Sequence, residues 1–166
     1  MRYILSLLFL LAISGKLVGQ TETVKNDKRE YELTVPKGWK MLDVNGVYRL
    51  QAPFREEDGG QTAINFSTAP GQGMNVEELY ELYIVNGFSA SFEDFKSIET
   101  EDLEIDGIKA KSIVCSYKES ISLQTRVTLM VRNDVLHIII GITTPQVYDY
   151  YAEAFREIPA SMRFLK

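Results

Sequence analysis

Cysteine and histidine are almost absent: the chain of 166 residues has one of each, Cys115 and His137. A single thiol excludes an internal disulfide, so stability has to come from burial. One cysteine with one histidine also cannot build a structural zinc site of the Cys/His kind. Basic residues are in deficit, 18 against 23 acids. An acidic chain is short of the cations that neutralise phosphate, which argues against nucleic acid and against an anionic membrane surface as partners. No apolar run reaches the roughly 18–20 residues that a membrane-spanning helix needs. No Gly-x-Ser-x-Gly elbow is present, and Gly71-Gln72-Gly73 lacks the third glycine and the Lys-Ser/Thr of a phosphate-binding loop. Neither acidic cluster, Glu56-Glu57-Asp58-Gly59 or Glu99…Glu101-Asp102…Glu104…Asp106, has the alternating ligands and closing Glu of an EF-hand. Both read as solvated loop charge. Repeats and low-complexity segments are missing too.

What is there begins with an address. Met1-Arg2 precede an apolar stretch, Tyr3–Ile13, interrupted by Ser6. A positive charge before a short apolar run is the pattern of a secretory signal peptide. Residues 1–19 are read as that peptide, with cleavage after Gly19 or, using Ala12 at −3, after Ser14. Removal takes away Arg2 and Lys16 and no acid, so the exported chain is more acidic still. No cysteine follows the run, so a lipoprotein anchor has no attachment point. The expectation is a secreted or periplasmic chain with no stable membrane anchor. The remainder is long enough for one domain with a full core and too short for two typical ones.

Gln20–Glu30 is polar and aperiodic and reads as a flexible leader. Tyr31–Val35 then alternates, with Tyr31, Leu33 and Val35 on one face. Pro36-Lys37-Gly38 turns the chain before Trp39, which is large enough to close one end of a core. Asn45-Gly46 and Asp106-Gly107 are hairpin dipeptides, because these residues tolerate the positive φ that such turns require. Thr62–Thr68 reads as a strand. Asn75 and Glu78 are spaced as a capping box, predicting a helix with Val76, Leu79, Tyr80, Tyr83 and Phe88 on its apolar stripe. Ile108–Lys118 is a further strand. Ile121–Arg132 alternates, Asn133-Asp134 supplies a turn, and Val135–Thr143 returns apolar on both faces, as a central strand covered from both sides does. In that hairpin Val131 faces Leu136, Leu129 faces Ile138 and Val127 faces Ile140. Thr144-Pro145 opens a last helix, with Thr as cap and Tyr148, Tyr151, Ala152 and Phe155 buried; Ile158-Pro159 ends it. Met162–Phe164 closes the chain. A meander with two helices predicts an α+β fold, a mainly antiparallel β-sheet with helices on both faces.

Tyr31–Trp39 (YELTVPKGW), Asp106-Gly107 before a strand, the Val131–Ile142 run with its polar turn, and the terminal Phe155…Ile158…Ser161-Met162-Arg163-Phe164 together resemble the PsbP-like family. That family includes the extrinsic photosystem II subunit, bacterial periplasmic DcrB-like proteins and a Ran-binding nuclear transport factor. The resemblance covers Glu30 to Lys166 and implies an α/β/α sandwich in a single domain, residues 31–166. It implies no shared catalytic residue, and members mostly dock on other proteins.

The function expected is therefore non-enzymatic: an exported binding or scaffolding domain that docks on an envelope or secreted protein, with no cofactor, no metal and no catalytic residue. A carrier of a small apolar ligand, held between a helix and the sheet, is the alternative; a hydrolase built on His137 is the third reading. His137 sits on the doubly apolar strand opposite Met130, where a core histidine is the simpler reading. Cys115, with Ile113 and Tyr117 on its own face, reads as a small buried hydrophobe. The candidate partner-binding residues are Arg55, Glu56, Glu57 and Asp58 in the polar loop Pro53–Gly60, with Tyr150, which lies off the buried stripe of the last helix. Exposed tyrosine is enriched at protein interfaces.

Overall fold

Polar composition does not keep the first described residues out of the fold. The computed structural model describes residues 20–165, so the expected signal peptide lies outside the described residues. Within the segment expected to be a flexible leader, strand β1 (Thr21–Asn26) pairs antiparallel with β2 (Tyr31–Pro36), setting Val24 against Leu33. The leader expectation is therefore corrected. β1 is an edge strand whose side chains stay largely in solvent, which is why its sequence shows no apolar period. Its one buried residue is Asn26, whose side-chain amide donates to Tyr31 Oη at 3.3 Å.

Tight turns set the rest of the meander. Strands β3 (Lys40–Val44) and β4 (Val47–Gln51) meet at Asn45-Gly46, and β5 (Ala63–Pro70) follows. After the first helical segment come β6 (Glu93–Ile105) and β7 (Ile108–Lys118), joined by Asp106-Gly107, then β8 (Ser122–Arg132) and β9 (Val135–Thr143), joined by Asn133-Asp134. All six turn residues have positive φ, between 50° and 81°, as the primed turns of two-residue hairpins demand. Leu129 pairs with Ile138, Val127 with Ile140 and Val131 with Leu136, the register expected from the alternation. The result is a seven-stranded antiparallel sheet in the order β3-β4-β5-β9-β8-β7-β6. A second sheet, β1-β2-β10, is completed by β10 (Arg163–Phe164) near the C-terminus.

Each face of the large sheet carries its own core. On one side lie the small sheet and the last helix, where Tyr31, Leu33, Tyr151, Phe155 and Ile158 meet Leu50, Ile64, Met130 and Ile139. Each such fully buried side chain contributes roughly 1.5–3 kcal/mol from water exclusion. Gly141 on β9 makes the close approach possible, because a Cβ there would stand 2.6 Å from the Phe155 ring. The last helix differs at both ends from its expected outline. Thr144 makes no side-chain cap; a 3-10 turn at Pro145–Val147 leads into helix proper at Tyr148, and the helix runs through Pro159 to Ala160.

On the other side, α1 (Val76–Tyr80) begins with the capping box, Asn75 Oδ1 accepting from the Glu78 N–H at 3.0 Å and Glu78 Oε2 from the Asn75 N–H at 2.9 Å. The helix then widens into π-helical turns over Glu81–Phe88 and ends in a short turn, α2 (Ser89–Ser91). The wider turn brings Ile84, absent from the expected stripe, down beside Leu79 and Tyr80 onto Ile113, Val127 and Leu129. Tyr148–Ala160 is α3 and lies on the opposite face. The two helical layers thus lie on opposite faces of a sheet whose central strand β9 is apolar on both sides.

Candidate functional site

The loop after β4 is built as a rigid platform. The Ala52 N–H donates to the Thr62 carbonyl at 3.1 Å and closes its neck. Gln51 Nε2 donates to the carbonyls of Gly60 (2.8 Å) and Thr62 (2.9 Å). Glu56–Asp58 form one 3-10 turn, which Gly59 and Gly60 end with φ of 59° and 71°. Gly60 also leaves room for Phe54, since a Cβ there would stand 2.7 Å from its ring.

Asp58 does not belong to the solvent-facing set proposed from sequence. It is 4% exposed. Its Oδ1 accepts from the Gly60 N–H at 2.7 Å, its Oδ2 accepts from the Thr62 hydroxyl, and that hydroxyl lies 2.6 Å from Thr143 Oγ1 at the end of β9. Its role is to pin the loop to the sheet. An acid in a polar loop looks solvated in sequence, and only the buried threonines across the fold reveal otherwise.

Two other residues singled out from sequence do come together. The Arg55 guanidinium lies 4.1 Å from the centre of the Tyr150 ring, and its Nη2 is 3.3 Å from Glu57 Oε1. The Glu57 backbone, and then the Arg55 charge, hold the Glu57 carboxyl below its ordinary range. Tyr150 is anchored from behind, edge-on to Tyr151 at 4.9 Å, which is edge-on to Trp39 at 6.1 Å. Burial, reinforced by the nearby Asp58 charge, pushes the Tyr151 phenol up to about 12, so it stays neutral. Phe54, which the sequence reading passed over, is 73% exposed, and Tyr150 is 66% exposed. Its signal was legible: a phenylalanine inside an otherwise polar loop has no core to serve. Glu56 is exposed on the same turn. The site is an arginine–tyrosine stack with an acidic rim, and the exposed Phe54 precedes it in the chain.

No protein-family model matches the chain, and no curated protein matches it in sequence. Solved structures do. CyanoP from Synechocystis sp. PCC 6803, a cyanobacterial PsbP, aligns at 15% identity over 93% of this chain and 98% of that one, with a TM-score of 0.63. The Ran-binding protein Mog1p of Saccharomyces cerevisiae aligns at 10% identity over 89% of this chain and 97% of that one, again at 0.63. LpqN of Mycobacterium tuberculosis, involved in cell envelope biogenesis, aligns at 13% identity over 89% and 91% of the two chains, at 0.58. The chain has the PsbP-like fold.

Within that PsbP-like fold the remaining candidates are buried or ion-paired. His137 is 8% exposed on β9, edge-on to Phe164 at 5.1 Å. Burial, then the Arg132 and Arg29 charges, lower its pKa from 6.5 to about 4. Cations beside an imidazole oppose the protonation that a general base must undergo. Ser67 Oγ donates to the Ile138 carbonyl at 3.4 Å, away from the imidazole. Cys115 is fully buried against Thr125 at 3.2 Å, and burial raises its thiol. The acidic run Glu99…Asp106, read as loop charge, lies instead on edge strand β6 and its turn. Glu101 accepts from Arg126 Nη1 and Arg156 Nη2, each at 3.0 Å, and Asp102 from Lys111 at 2.7 Å. Among the described residues, no three His, Cys, Asp or Glu side chains are grouped to hold a metal ion. The cavity beside His137, between Tyr31, Phe66 and Met162, has a volume of about 10 Å³, room for one water. A larger concavity, about 460 Å³, is an open surface groove along Met74–Glu77 and Ile108-Lys109.

Proposed function

We propose that this chain is an exported, non-enzymatic binding module that docks on an envelope or secreted protein through Phe54, Arg55 and Tyr150. The observation that carries the reading is the Arg55 guanidinium 4.1 Å from the ring of an exposed Tyr150, with Phe54, its neighbour in the chain, also exposed, on a loop held by buried hydrogen bonds. Aromatic and arginine side chains dominate interface hot spots, and rigid ones lose little entropy on binding. Export is supported by the Met1-Arg2 charge and the apolar Tyr3–Ile13 run. Among the described residues no helix is long and apolar enough to cross a membrane. Mog1p is a Ran-binding protein, which supports a binding role for the fold without naming a partner here. A carrier of an apolar ligand would need an enclosed space well beyond 10 Å³ between helix and sheet.

The test is crosslinking from position 54 in the native host's envelope fraction, followed by binding of the captured protein, once purified, to the wild type and to Phe54→Ala/Arg55→Ala/Tyr150→Ala. Asp58 is left in place because it holds the loop. The triple variant should melt normally and bind at least about tenfold more weakly. Normal melting with wild-type affinity would clear this surface of any role. A melting temperature raised by small apolar ligands would favour the carrier instead.

A further inference from the structure

The side of the large sheet away from α3 is only half covered. Cross-strand pairing builds continuous rows there: Lys40–Gln51–Ala63–Ile142, then Leu42–Arg49–Asn65–Ile140–Val127, with Ser67–Ile138–Leu129 beside them. At the β8 end the rows run beneath α1 and the π-helical turns, and Val127 and Leu129 are 1% exposed. Toward the other end the cover thins: Ala63 is still fully buried and the β9 isoleucines pack against the α1-side core, but β3 and the start of β4 lie open. Leu42 is 43%, Val44 47% and Val47 38% exposed, and Ile138, Ile140 and Ile142 are half-buried. The thinly covered part spans β3, β4 and β5 up to the edge of β9, about 10 Å across at the usual strand spacing, and a helix with its side chains is about 10 Å wide. One more helix fits beside the one already present.

Charge decides what kind of helix. Of the side chains on these four strands that point this way, Lys40 and Arg49 are charged and none is acidic, although the whole chain has a net charge of −5. Arg49 is held on the face, its Nε donating to Gln51 Oε1 at 2.9 Å and its Nη2 to the Gln61 carbonyl at 3.4 Å. The apolar residues 1–19 bring only cations, Arg2 and Lys16, and a second copy of this face would set Lys40 and Arg49 against their like. Neither complements it. We propose that this face docks an amphipathic helix of another protein, its apolar stripe against Leu42, Val44, Val47 and the half-buried isoleucines of β9, its flanking acids meeting Lys40 and Arg49. This is helix-in-groove recognition, on the face of the sheet opposite α3, which carries Tyr150.

The test uses two designed helical peptides with the same leucine stripe, one flanked by glutamate and the other by lysine, measured against the purified protein by fluorescence anisotropy. The glutamate peptide should bind the wild type, less tightly as salt is raised. Leu42→Asp with Val47→Asp should weaken that binding about tenfold or more, since a carboxylate would be buried against the stripe. Lys40→Glu with Arg49→Glu should reverse the preference toward the lysine peptide, a gain that a misfolded variant cannot produce. Arg55→Ala/Tyr150→Ala should leave both results unchanged, which separates this proposal from the docking surface above. Equal binding of the two peptides to the wild type would overturn it. So would indifference to the face variants, a dimer in sedimentation equilibrium that Leu42→Asp breaks, or binding to anionic vesicles with none to the glutamate peptide.

Discussion

At the scale of single residues, His137 is the group whose protonation the fold most opposes. Its pKa falls from 6.5 to about 4 through burial, Arg132 and Arg29. Between those two values the unfolded chain binds a proton that the native state refuses. The native state's advantage is complete above pH 6.5 and shrinks as pH falls toward 4, by up to about 3 kcal/mol. Urea denaturation at neutral pH and near pH 4.5 should therefore show a loss of stability in the wild type that His137→Leu largely lacks. An equal loss in both would assign the acid sensitivity to other groups. The burial of this imidazole makes it a determinant of acid stability. Asp58 is the companion case, an acid in a polar loop whose carboxylate turns inward to Thr62 and the Gly60 N–H.

At the scale of elements, the β8–β9 hairpin separates register from coverage. Leu129 and Ile138 are direct partners, yet Leu129 is 1% exposed beneath the π-helical layer while Ile138 is half-buried beside it. Leu129→Ala should cost about 2–5 kcal/mol, the usual effect of emptying a closed site. Ile138→Ala should cost less, roughly 2 kcal/mol or below, because part of that side chain stays in contact with solvent. Equal losses in denaturant melts would mean that Ile138 is covered after all. The helix opposite makes the same point: Asn75 and Glu78 announce its start, but the change to π turns that lowers Ile84 onto the sheet serves a contact with distant strands.

At the scale of the molecule, the small sheet ties the N-terminal side to the C-terminal side. β2 lies between β1 and β10, Arg29 donates to Thr68 Oγ1 and to the Gly46 carbonyl, and the Leu165 N–H donates to the Glu30 carbonyl at 2.7 Å. A chain beginning at Gln20 keeps all of these. A chain beginning at Tyr31 loses β1 and Arg29, and leaves an edge of β2 unpaired. Its melting temperature should fall by roughly 5 °C or more relative to the longer form. Identical calorimetric midpoints would show that β1 contributes nothing.

What the sequence determined by itself is what local chemistry controls. Positive φ at Asn45, Asp106 and Asn133 marks the hairpins, alternation from Leu123 to Val131 sets one register, and the double apolarity of Val135–Thr143 places β9 at the centre. Each depends on neighbours a few residues away. The tertiary structure alone decided that polar Thr21–Asn26 is a strand, that Asp58 is buried, that Arg55 stacks on Tyr150, and that Leu42 and Val47 lie uncovered. Burial and exposure are set by which remote segments meet. An edge strand, a pinned loop and an unroofed sheet face therefore have no period of their own in the chain.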